Sequence, residues 1–149
     1  MLNTFNGLPV HPLVVHAVVV LLPLAILGTI AIAARPVWRA KYGPLVVIVT
    51  AIATALVPVA TSSGEEFERR VGDPGKHAQL GNQLIWFALP LMVLVVVLVV
   101  LDRFGTKRGL TTAVAVLSIV AAIASGVQVF RVGDSGARAT WGDKVSSAP

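Results

Sequence analysis

Between Ala17 and Ala34 the chain passes eighteen residues without a charge or a carboxamide. A helix needs roughly 20 predominantly apolar residues to cross a hydrocarbon core about 30 Å thick. With its entry residues this run reaches that length, over Pro12–Ala34. Three more runs follow, at Pro44–Thr61, Leu84–Leu101 and Leu110–Phe130. In lipid every backbone amide must find its partner within its own segment, so uninterrupted runs of this kind are helices despite their many Val and Ile residues. The fold expected is therefore all-α, an integral membrane four-helix bundle in one domain over residues 1–149. An even number of spans puts both termini on the same side.

Composition agrees and removes other classes. Hydrophobic residues make up 56% of the 149, and charged residues only 13%, where a soluble domain carries about a quarter. The net charge of +5 comes from cations scattered over connectors, with no basic run and no aromatic interleaving, so no nucleic-acid partner is expected. There is no cysteine, which excludes thiolate chemistry, iron–sulfur clusters and covalent haem attachment. Residues 1–16 hold no Lys or Arg, so the first run lacks the basic flank of a signal peptide and reads as a retained span.

The connectors differ in kind. Arg35–Gly43 carries three cations and no acid, and Asp102–Gly109 carries three cations and one acid. The opposite side mixes six cations with six acids. Lys and Arg counts tie, but their density next to span ends favours placing the tight connectors in the cytoplasm. Residues 142–149 are expected to be a flexible tail. Trp38 and Tyr42 at one face, with Trp86 and Trp141 towards the other, suit interfacial belts. Small residues at four-residue spacing, Ala25/Thr29/Ala33, Ala51/Ala55, Ala121/Ser125 and Ala122/Gly126, mark expected helix contacts. Pro23, Pro58 and Pro90 stand inside spans, where each frees a carbonyl and bends its helix.

The termini-bearing face collects the unusual polar residues. His11 and His16 flank Pro12 at the head of the first span, and Pro12 disfavours helical geometry at His11. On a continuous helix the two lie about 140° apart and do not chelate one ion. Ser62–Gln83 contains the acid-first i,i+4 pairs Glu65/Arg69 and Glu66/Arg70, the mark of a short surface helix. Asp73-Pro74 reads as a cap and first-turn proline that starts the third helix near residue 74, with His77 in that turn. Arg131–Arg138 reads as a glycine-rich polar turn. His16 and His77 lie at matching depth on different helices. They are the expected ligands of a haem b, or, with His11, Glu65 and Asp134, of a divalent metal. The competing reading of the same histidines is as interfacial fittings. No nucleophile–base constellation is present, so no catalytic activity of its own is expected. No ionisable group sits at the centre of a span and no inverted repeat is evident, which speaks against a transporter.

The entry Gly7-Leu8-Pro9-x-His11-Pro12-Leu13-x-Val15-His16, together with Ser63-Gly64-Glu65, His77 and Gly133-Asp134-Ser135-Gly136-Ala137-x-x-x-Trp141, resembles the bacterial membrane proteins of domain-of-unknown-function family 2231. The resemblance spans nearly the whole chain and implies a four-span bundle in the bacterial inner membrane. It implies no established activity. Some relatives are fused to Rieske or cytochrome c modules, which implies respiratory redox company. Where the family usually has Gly-His-Ser-Gly-Ala, this chain has Asp134 in place of the histidine, which counts against a four-histidine, two-haem arrangement. The functional expectation is thus a His-rich polar site serving membrane redox chemistry. The alternative is a non-catalytic accessory subunit of a larger membrane complex, with lipid and either complex partners or a second copy around it.

Overall fold

The structure is a computed structural model and describes residues 4–5, 8–71, 75–105 and 107–146. Among the described residues a two-residue antiparallel pair, β1 (Thr4–Phe5) and β2 (Leu8–Pro9), precedes five helices. These are α1 (Val10–Ala34), α2 (Pro36–Val71), α3 (Lys76–Gln83), α4 (Ile85–Arg103) and α5 (Arg108–Ser146). Helix α3 runs on into α4 through Leu84, whose amide donates to the Gly81 carbonyl, and the two together make the third of four helices long and apolar enough to cross a membrane. The four-helix bundle with both termini on one side is therefore the architecture.

The spans are longer, and the connectors shorter, than the apolar runs predict. Arg35–Gly43, expected to be a nine-residue connector, is helical from Pro36 onwards, so Arg35 alone joins α1 to α2. Proline at the first helical position costs nothing, because its missing N–H would have had no intrahelical partner there. The amides of Trp38 and Arg39 both reach the Arg35 carbonyl and start the new helix at once. Glu65, Glu66 and Arg69, expected on a separate surface helix, lie on the extension of α2. The Arg70 and Glu68 side chains and the Asp73-Pro74 start fall outside the described residues. Arg131–Arg138 is likewise not a turn but part of α5, which continues to Ser146.

The long helices form a ring: α1 packs on α2, α2 on α4, α4 on α5 and α5 on α1, while α1 and α4 barely meet across the diagonal. Leu22, Ala53, Ala88, Leu91, Val95, Leu98 and Ala122 are fully buried along this axis. Lipid supplies no hydrophobic drive for helix association, so the seams depend on close backbone approach and on hydroxyls that turn inward. Thr29, Thr50 and Ser118 are buried and donate to the carbonyl four residues earlier in their own helices. The stripes Ala25/Thr29/Ala33 and Ala122/Gly126 face inward as expected, but Ala55 is exposed and Ala53 and Val57 take the buried side of α2 instead. Close approach is visible at Gly43, where a Cβ would lie 2.9 Å from a Val99 methyl.

Pro90 breaks the amide ladder of α4, and the neighbouring helices answer it. The Ser125 hydroxyl of α5 donates to the Phe87 carbonyl at 3.2 Å, and the Thr54 hydroxyl of α2 to the Ala88 carbonyl at 3.4 Å. Carbonyls in the turn that the proline distorts thus become joints between helices, the usual accommodation of proline in a membrane span. At the opposite end of the bundle Arg39 is almost fully buried. Its Nε and Nη2 donate to the last carbonyls of α1, Ile32 at 3.0 Å and Ala33 at 3.2 Å, and its Nη1 reaches Asp102 of α4 at 3.2 Å.

Candidate functional site

On the termini-bearing face, two of the three histidines close helix pairs in the same way. His11 lies in the first turn of α1, one residue before Pro12, so the helix admits it although Pro12 disfavours helical geometry there. First-turn amides need no intrahelical acceptor, so Pro12 breaks no bond there. From this position the His11 ring crosses to α2. Its Nδ1 stands 3.0 Å from the Ala60 carbonyl and 3.2 Å from the Ser63 hydroxyl, which itself donates to Ala60. The ring lies so near Gly64 that a Cβ there would be 3.0 Å from His11 Cε1.

His77, at the start of α3, repeats this joint on α5. Its Nδ1 stands 3.1 Å from the Val132 carbonyl and 3.3 Å from the Ser135 hydroxyl, and Ser135 donates to Val132. A Cβ on Gly136 would lie 2.9 Å from His77 Cε1. A carbonyl oxygen only accepts, so in each joint Nδ1 carries the proton and Nε2 is the basic nitrogen of the neutral ring. Gly136, one of the two glycines that read as a polar turn, is thus a close-approach glycine inside α5, as Gly64 is inside α2. Each pair of helices, α1/α2 and α3–α4/α5, carries one His–Ser–Gly latch at its open end.

The remaining expected residues do not join these two. His16 is exposed on α1 and turns its Nδ1 back to the Pro12 carbonyl. Glu65 is exposed on α2 beside the first latch. Asp134 is engaged by Arg138, whose Nε donates to it at 2.9 Å. Among the described residues no three His, Asp or Glu side chains converge as metal ligands. His77 borders a cleft of about 560 Å³ between α3 and α5, shared with Lys76, Leu80, Phe130, Arg131, Asp134 and Arg138. Below it Gln128 is buried, donates to the Leu80 carbonyl at 3.0 Å and accepts from Arg131 at 3.4 Å.

Sequence reasoning misses both the latches and Arg39. The signal for the latches was available as Ala-x-x-Ser-Gly after one span and Val-x-x-Ser-Gly after another, each paired with a histidine at a helix head. For Arg39 it was the lone acid, Asp102, among the cations of the other tight connector.

Four apolar helices in a ring, tied at one face by imidazoles and at the other by a buried guanidinium, define a polytopic membrane protein. The chain belongs to the predicted membrane proteins of family DUF2231, whose profile matches residues 7–149. No curated protein and no solved structure matches it.

Proposed function

We propose that this protein is a non-catalytic accessory component of a larger assembly in the bacterial inner membrane, with both termini on the extracytoplasmic side. The observation that supports this is the doubled latch. The most distinctive polar residues, His11, Ser63, His77 and Ser135, are all engaged in holding one helix to another. A bundle organised in this way presents a fixed outer surface to its neighbours, which is what a structural subunit contributes. Gentle solubilisation followed by native-gel sizing tests it. Co-migration with other membrane proteins is expected, and a clean monomer or homodimer overturns the reading. A reporter fused after Pro149 should report an extracytoplasmic C-terminus, and cytoplasmic activity reverses the orientation.

One observation favours a second reading, haem or metal ligation. An imidazole that donates Nδ1–H to a carbonyl has a fixed ring and a basic Nε2, the arrangement that outer-shell partners impose on ligating histidines. His77 and His16 both have it. In this reading His77 would hold a haem b in the cleft that Leu80 and Phe130 also line, and the haem would supply one-electron chemistry. Reduced-minus-oxidised absorption spectra with metal analysis on one purified sample decide it. Sharp α and β bands lost in His77→Ala support it, whereas no bands and no metal dismiss it.

A further inference from the structure

The two latches give the molecule an internal control. Superposing them residue on residue pairs His11 with His77 and Ser63 with Ser135, and so aligns α1/α2 with α3/α5. Lys76, Arg131 and Arg138 line the α3/α5 cleft. The positions that correspond to them in the first pair are Val10, Val59 and Glu66. The scaffold builds the same joint without any of those cations, so the latch does not require them. They are a property of the second cleft alone.

Within that cleft three cations face one carboxylate, Asp134, which is held by Arg138. Lys76, Arg131 and Arg138 are exposed. The depth is specific too. Arg131 directly follows Phe130, the last residue of the apolar run of α5, and Lys76 opens the short helix that leads into the third span. Phe130 projects outward, 74% exposed, and Leu80 forms an apolar wall. Cations at the boundary of a span above an outward apolar surface match an amphiphile with an anionic head and a hydrocarbon tail. Basic pockets between membrane helices take such headgroups, each Lys or Arg near the surface adding about fivefold to affinity.

From this we infer that the α3/α5 cleft is a binding site for an anionic phospholipid, its phosphate held by Lys76, Arg131 and Arg138 and its acyl chain lying along Phe130. The assignment is independent of the accessory reading and needs no haem.

The test uses the full chain purified in a neutral detergent and titrated with dioleoyl-phosphatidylglycerol or dioleoyl-phosphatidylcholine, with retained lipid counted by native mass spectrometry. Phosphatidylglycerol should be retained selectively. Arg138→Gln should weaken retention about fivefold, and Lys76→Gln with Arg138→Gln about 25-fold, without change for phosphatidylcholine. Both side chains are exposed, so neither substitution threatens the fold, and unchanged helical circular dichroism confirms it. Equal retention of the two lipids overturns the site, as does a preference that survives the double substitution. Inorganic phosphate that displaces phosphatidylglycerol at equal concentration would assign the cleft to a free anion and overturn the lipid.

Discussion

Gly133 and Gly136 stand three apart on one helix and do opposite things. Nothing lies within 4 Å of a Cβ built on Gly133, whereas one on Gly136 would strike the His77 ring at 2.9 Å. Glycine costs a helix interior about 1 kcal/mol relative to alanine. Gly133→Ala should therefore raise the thermal midpoint in detergent. Gly136→Ala should lower it, by an overpacking cost of about 1–3 kcal/mol. Two midpoints that move together in either direction would contradict the latch. Taken one residue at a time, the glycines here read as turn residues, because glycine is the commonest punctuation of a chain. Only the ring pressed against the backbone distinguishes the two uses, and that ring arrives from a helix more than fifty residues earlier.

At the scale of elements, Arg39 connects three helices through α2's own first turn, the end of α1 and Asp102 of α4. Arg39→Met would leave two terminal carbonyls and a carboxylate without this donor, costing on the order of 3 kcal/mol. Asp102→Asn keeps an acceptor oxygen beside the guanidinium, and Asp102 is 27% exposed, so its cost should be nearer about 1 kcal/mol. Chemical denaturation in mixed micelles measures both, and equal losses would mean that the ion pair rather than the carbonyl cap holds the joint. The spans themselves were legible from hydropathy alone, since the bilayer dictates their length. Their true ends were not. Pro36 and Asp134 lie in stretches that composition marks as connector or turn, yet both are helical, and Glu65, expected on a separate surface helix, continues α2, since neighbouring helices and internal joints support those turns where local apolar character does not.

Over the whole molecule, the absence of cysteine makes the ring order directly testable. A Cβ at Gly43 would be 3.7 Å from that of Val99, and one at Gly28 would be 3.8 Å from that of Val46, within the range that a disulfide spans. The pairs Gly43→Cys/Val99→Cys and Gly28→Cys/Val46→Cys should each cross-link within one chain on mild oxidation. Failure of the first would remove α4 from beside α2. The bundle and its two-sided polarity were readable from the sequence because four spans leave few alternatives. The pairing of histidines with particular helices was not, since it depends on which helix stands next to which.

The first helix pair is fastened twice, by Arg39 at its one-residue turn and by His11 at its open end. In mechanical terms α1 and α2 are a closed clasp, unable to splay without breaking a joint at one end or the other. The clasp is not separate from its neighbours, since Arg39 also holds Asp102 of α4 and Thr54 reaches the Ala88 carbonyl, so parting α2 from α4 breaks an ion pair and a hydrogen bond as well.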